Sequence, residues 1–168
     1  MITLRRAVAD DADWLVELYA GDEVDPFLSP RFPRGRAAML EAIERSQAEP
    51  RKHGLMVIEW DGERAGGMSY DEQSEPNRIA HLGALAVHPD FRGKRIADDA
   101  AGLLQRYLLL ELGYHRLELA CYGFNERAIA HAERAGYVRE GVKRKAYLRH
   151  GEWQDAVQFS LLREDLDP

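Results

Sequence analysis

Two hydrophobic periods alternate along the chain. Short stretches with apolar residues at every second position predict strands, and longer ones spaced by three and four predict helices. Ile2–Val8 predicts a strand with Ile2 and Leu4 on one face. Asp10 then predicts an N-cap, with Asp13 three residues on in the capping-box position. The following helix buries Trp14, Leu15, Leu18 and Tyr19 and stops at Gly21. Residues 21–35, GDEVDPFLSPRFPRG, hold three prolines and two glycines and predict a loop. With Phe27, Leu28 and Phe32 that loop is too apolar to lie wholly in water. It either folds over a site or plugs the core.

Arg36–Ala48 has helical period, with Met39, Leu40 and Ile43 as the buried stripe and Pro50 as the stop. Leu55–Trp60 and Arg64–Asp71 predict a hairpin around Asp61-Gly62. Gly66-Gly67 inside the returning strand predicts a bulge or a close backbone approach. Arg116–Tyr122 is a further strand, and Asn125 caps a short helix ending at Gly136. Tyr137–Tyr147 and Gln154–Leu162 close the chain as an antiparallel pair around residues 149–152. The order β-α-α-β-β-β-α-β-α-β-β predicts an α/β mixed sheet with helices packed on it, in a single domain over residues 1–168.

The centre of this pattern is residues 81–97, HLGALAVHPDFRGKRIA. Leu82, Leu85 and Val87 form a strand, His88-Pro89-Asp90 stops it, and a helical period begins at Ala97. A strand that enters a helix through a loop of free backbone N–H groups is an anion-binding device, because the first-turn amides lack partners and the helix dipole favours negative charge. Arg92, Lys94 and Arg95 add charge to that loop. An ordinary strand–helix connection with solvated charges is the plainer alternative.

Composition narrows the classes. A chain of 168 residues, 45% hydrophobic and 31% charged, is an ordinary globular protein with a sizeable core. The opening MITLRRAVADDADW predicts no apolar leader, and Leu108–Leu110 is far too short to span a bilayer, so the expectation is a cytoplasmic protein without membrane attachment. One cysteine, Cys121, excludes a disulfide framework and a multi-cysteine zinc site, and on its strand it reads as a small core residue. His88, His115 and His150 show no metal-ligand spacing, and His131 reads as surface or packing. A net charge of −6 argues against nucleic-acid binding. Residues 1–80 carry 10 basic and 16 acidic side chains and residues 81–168 carry 13 of each, which suits a cationic partner for the first half and an anionic one for the second.

Two segments together resemble the GNAT superfamily of N-acetyltransferases. R-G-K-R-I-A at Arg92–Ala97 resembles the family's acetyl-CoA loop, Arg/Gln-x-x-Gly-x-Gly/Ala, and NERAIAHAERAGYVREG at Asn125–Gly141 resembles its Asn-x-x-Ala…Glu-x-x-Gly-Phe/Tyr signature. The Gly-x-x-x-Asp ending at Gly151–Asp155 is most similar to the branch acting on ribosomal-protein N-termini and polyamines. The resemblance implies a mostly antiparallel sheet of about seven strands with four helices, splayed strands forming the slot for acetyl-CoA, and direct acetyl transfer to a primary amine without a metal. It implies that backbone groups of Leu85, Ala86 and Val87 hold the pantetheine arm and that Arg92, Gly93, Lys94, Arg95, Ile96 and Ala97 hold the pyrophosphate. The closing strands imply a homodimer edge. A module of the same fold that binds acyl-CoA without turnover is the alternative, and a nucleotide-binding protein of another α/β class is disfavoured because the chain has no Gly-x-x-x-x-Gly-Lys loop.

An ammonium acceptor must lose a proton before it attacks. His81, where many family members place a carboxylate base, is either that base or a strand-edge histidine satisfied by a carbonyl. Asn125 resembles the family's cofactor-contacting asparagine and also reads as an N-cap. The acidic residues Asp22, Glu23 and Asp25 would attract the amine. Two positions depart from the family. Arg95 replaces the usual Gly, where it either crowds the pyrophosphate or swings out to bind it. Ala132 replaces the tyrosine that protonates the thiolate, leaving a water, Tyr122, Tyr147 or unaided departure.

Overall fold

The computed structural model describes residues 1–166. The elements run β1 (Ile2–Arg6), α1 (Ala12–Tyr19), α2 (Arg36–Ala48), β2 (His53–Trp60), β3 (Glu63–Ser74), β4 (Ile79–Val87), α3 (Ile96–Arg106), β5 (Arg116–Tyr122), α4 (Glu126–Arg134), β6 (Val138–Arg149) and β7 (Glu152–Leu162). The predicted order and class hold. The seven strands form one sheet in the order β1-β2-β3-β4-β5-β7-β6, antiparallel except where β4 meets β5.

Period-2 alternation divides the core between the two faces. Met56, Ile58, Met68, Tyr70, Leu82 and Leu117 pack under α3 and α4. Leu55, Val57 and Ala86 face α1 and α2, against Leu15, Leu18, Met39 and Ile43. Asp61 and Gly62 both take positive φ, 48° and 84°, the geometry of the tight hairpin their sequence predicts.

The predicted cap at Asp10 is corrected. A 3-10 turn over Ala9–Asp11 precedes α1, and Asp11 is the N-cap residue. The Asp11 carboxylate is buried, accepting from Arg5 at 2.7 and 2.8 Å, from Arg64 at 2.9 Å and from the Val8 amide at 2.8 Å. Those donors hold its pKa down at about 2 against the burial that opposes them. Trp14, expected inside, is only half-buried. Regular α-helix ends at Arg106, and a π-turn over Tyr107–Glu111 carries the chain to Gly113.

Arg6 joins the end of α2 to the start of β2. Its guanidinium donates to the Ser46 carbonyl and hydroxyl, both at 3.0 Å, to the His53 carbonyl at 2.8 Å and to the Pro50 carbonyl at 2.6 Å. It also donates to the hydroxyls of Tyr107, at 3.0 Å, and of Tyr70. Among the described residues no carboxylate pairs with it. Arg6→Met keeps the stem and strands these acceptors, so it is expected to cost roughly 2–4 kcal/mol, read as a lower denaturant midpoint at unchanged slope.

Candidate active site

The parallel pair β4/β5 is short. Ile79, Ala80 and His81 pair with Arg116, Leu117 and Glu118, and beyond them the strands part. β4 continues on β3 and β5 continues on β7, leaving a wedge between them. A bulge in β4 sharpens the parting. Gly67 pairs with Ala86 but Ser69 with Gly83, so β4 carries one extra residue there. Ala84, inside the bulge, takes a left-handed φ of 55°, strain of the sort stored at functional sites. The Tyr19 hydroxyl pins it by donating to the Ala84 carbonyl at 2.7 Å. Of the two readings of Gly66-Gly67, close approach is borne out, and the bulged residues lie beside the pair rather than in it. A Cβ on Gly66 would lie 2.4 Å from the Ala86 carbonyl oxygen, and one on Gly67 would lie 2.5 Å from the Tyr19 hydroxyl. A separate register shift at Ile58/Glu59 places the extra residue at Ala65.

The ladder decides which main-chain groups face the wedge. The His88 amide donates to the Ala65 carbonyl at 2.7 Å, and Gly67 and Ala86 are partners in the same register. Alternation then turns the amide and carbonyl of Ala86 toward β3 and those of Leu85 and Val87 into the gap. The three residues expected as a group therefore divide.

A cleft of about 1540 Å³ runs through the wedge, lined by His81, Leu85, Ala86, Val87 and Asn125 and by the loop residues Arg92, Gly93, Arg95, Ile96 and Ala97. Lys94 is outside this lining. Its ammonium lies 5.4 Å from the ring centroid of Trp60, a cation–π contact that draws the side chain away. Arg95 is the N-cap residue of α3 at φ 59°, ψ 24°, so the backbone does require the left-handed conformation that glycine would adopt freely. Its side chain has no acidic partner among the described residues, and the amides of Ile96, Ala97 and Asp98 open the helix. Asp98, in that first turn, is met by His131 at 3.0 Å and by Arg134 at 3.5 Å, of which the guanidinium offsets its charge. His131 therefore lies in the cleft wall, where burial keeps its pKa below the ordinary value. The Asn125 side chain accepts from the Ala128 amide at 3.2 Å as an N-cap.

The His81 side chain is exposed at the cleft, but protein on its other sides keeps part of its hydration away. That loss of bulk water is the main reason its pKa falls below 6.5; Asp71 and Glu118 oppose the shift and Lys143 adds to it. The imidazole is thus neutral at pH 7.

The loop over residues 21–35 does both things its composition allows. Leu28 is buried and Phe32 packs on Tyr19 at 4.4 Å, while Phe27, Leu28 and Phe32 line the cleft. The β6–β7 end holds the loop down. Arg149 donates to the carbonyls of Leu28 at 3.2 Å and Asp25 at 2.8 Å, and His150 meets the Pro26 carbonyl at 2.8 Å. The expected acidic lure is reduced to Asp22, which is exposed, because Glu23 is paired with Arg92 and Asp25 with Arg34. The same pair engages the Arg92 guanidinium.

Ala132 is buried in the lining and brings no hydroxyl. Tyr122 and Tyr147 stand edge to face in the wall at 6.0 Å, and burial raises the Tyr122 pKa so that it stays protonated. Burial likewise pushes the Cys121 thiol up to about 11, an inert core group as its sequence position suggests. Asp155, the acid of the closing motif, accepts from the Lys145 amide at 2.8 Å, and its carbonyl accepts from Gly123 at 2.9 Å. It fixes the irregularity in β6 that brings Ala146–Leu148 to the cleft. Asp71 and His53 also line the cleft, and no local pattern pointed to either.

Comparison with known proteins agrees with this geometry. A family model described as "Acetyltransferase (GNAT) domain" matches residues 1–138. The chain is 29% identical to the SPbeta prophage-derived uncharacterized N-acetyltransferase YokL of Bacillus subtilis (strain 168) over 140 residues, 83% of this chain and 77% of that protein. It is 28% identical to the spermidine N(1)-acetyltransferase of Escherichia coli (strain K12) over 107 residues, which is 64% of this chain and 57% of that protein. A crystal structure of a probable acetyltransferase superposes with a TM-score of 0.82 at 28% identity, covering 97% of this chain and 93% of that one. Among the described residues no helix is long and apolar enough to cross a membrane, and no cluster of three potential metal ligands is found.

Proposed function

Because the chain belongs to the acetyltransferase (GNAT) family, we propose that it takes acetyl from acetyl-CoA and passes it directly to a primary amine, either a small cationic amine or a peptide or protein N-terminus. The parting of β4 from β5 beyond His81 and Glu118 carries this reading, since it opens a slot whose mouth is a helix N-terminus.

Acetyl-CoA supplies an activated acetyl thioester and a diphosphate anion. The amides of Ile96 and Ala97, the Gly93 turn and the Arg95 guanidinium suit the anion, while Arg92 reaches it only by leaving Glu23. Asn125 can donate from its amide nitrogen while its oxygen caps α4. The gap-facing groups of Leu85 and Val87 hold the pantetheine arm and offer a donor where charge develops on the thioester oxygen. Neutral His81 takes the proton from the ammonium, directly or through a water. Residues 1–168 act as one domain in the cytoplasm, and the exposed edge at Val138, Val142 and Leu148 is where two copies would pair.

The test is release of free thiol from acetyl-CoA in the presence of spermidine or of a peptide with a free alanine N-terminus. Saturable release with at least one of them is expected, and saturable binding without release would overturn the reading. Arg95→Gly separates backbone from charge at the mouth. Removing the left-handed strain should leave the melting temperature unchanged or raise it by about 2–4 °C. Losing the cation should weaken CoA binding about 5- to 20-fold, with a shallower salt dependence in titration calorimetry.

A further inference from the structure

The strand registers place four titratable side chains in one row. His53 on β2 is opposite Asp71 on β3, Asp71 is opposite His81 on β4, and His81 is opposite Glu118 on β5. Directly opposed residues share a face of the sheet, with Cβ atoms roughly 4.5–5.5 Å apart. This is the face turned toward α1 and α2, because Leu55 and Val57, two and four residues beyond His53 on the same side of β2, pack there. His53, Ser69, Asp71 and His81 all line the cleft.

The acids near this row differ in their partners. Glu118 accepts from Arg116 at 2.8 Å, and Glu23 and Asp25 are paired with Arg92 and Arg34. Asp71 is met by His53, Nδ1 to Oδ1 at 2.8 Å, and its side chain is 59% exposed. The His53 ring bridges two carboxylates, Asp71 through Nδ1 and Glu49 at 3.7 Å from Nε2, so it orients Asp71 and leaves the site with an excess of negative charge. Asp71 is therefore a carboxylate held in one rotamer, open to the cleft, with its negative charge one strand from His81.

We propose that Asp71, oriented by His53, receives the ammonium group of the acceptor and presents it to His81. An ammonium donating to Asp71 lies within one cross-strand spacing of the imidazole. Lys143 faces His81 from β6 and Arg45 lines the cleft from α2, so beside the imidazole the favourable place for a cation is the Asp71 side, while Glu126, also in the lining, stands apart at the start of α4. The assignment deepens the acetyltransferase reading above and rests on it.

The experiment compares wild type with Asp71→Asn in the thiol-release assay, with spermidine and with the alanine-starting peptide as acceptors. Loss of one charge-assisted hydrogen bond is expected to raise KM for the amine about 10- to 100-fold, with kcat changed less than about threefold. KM for acetyl-CoA and the melting temperature should stay at wild-type values, and Asp71→Glu should recover part of the affinity. KM for the amine should rise with salt in wild type and stay flat in Asp71→Asn. An unchanged KM for the amine in Asp71→Asn, or a fall in kcat alone, overturns the assignment and leaves the enzyme reading standing. A wild type that releases no thiol with either acceptor overturns the enzyme reading, and the role of Asp71 with it.

Discussion

His81→Ala is expected to lower kcat for amine acetylation about 100- to 10,000-fold, the usual worth of a positioned base. KM for acetyl-CoA should not change, because the groups assigned to that substrate lie on the β4–α3 connection and in the wedge. The pH profile identifies the cause. Four charged or titratable groups bear on the imidazole: Asp71 from β3, Glu118 from β5, Lys143 from β6 and, one strand further, His53 from β2. Partial desolvation at the cleft outweighs the two carboxylates and lowers the pKa. The base is therefore neutral and competent at pH 7, and wild-type kcat/KM should fall only below pH 6.5, as the imidazole takes up its proton. In His81→Ala that acidic limb should vanish. A variant that keeps both its rate and its acidic limb would show that a water or another side chain removes the proton.

Gly66→Ala should produce the largest structural effect. The added Cβ would meet the Ala86 carbonyl oxygen at 2.4 Å, main chain against main chain, so no side-chain rotation relieves it. The β3–β4 ladder must open where the β4 bulge holds Leu85 and Val87 to the gap. A loss of roughly 2–4 kcal/mol is expected, seen as a fall in melting temperature of about 5–15 °C, together with loss of the thermal protection that CoA gives wild type. Gly102→Ala is the control, since its Cβ meets nothing within 4 Å and the helix gains about 0.5–1 kcal/mol. If both variants melt alike, close packing at Gly66 does not hold this ladder.

Most elements were legible from local pattern. Arg36–Ala48 and Arg116–Tyr122 have the bounds their periodicity predicts, and Asp61-Gly62 makes the turn its residue types favour. Asp10 failed as a cap for a physical reason: Arg64, 53 positions away, joins Arg5 in claiming the neighbouring carboxylate of Asp11. Lys94 looked like an anion ligand because it lies in the loop, but Trp60, more than thirty positions away, draws its ammonium off. Glu23 and Asp25 looked like parts of a lure until Arg92 and Arg34 proved to be their partners. In each case the residue type was read correctly and a contact remote in sequence, from Arg64, Trp60 or Arg92, helped decide its use.

The sequence by itself determined the order of strands and helices and the loop–helix junction at residues 92–97, because periodicity, turn chemistry and the orphaned amides of a helix start are properties of neighbouring residues. Tertiary structure alone decided that β4 leaves β5 after His81, that Leu85 and Val87 rather than Ala86 face the gap, and that His53, Asp71, His81 and Glu118 stand in line. Strand register is set by the packing of both faces of the whole sheet, and a shift of one residue would turn that row to the opposite side.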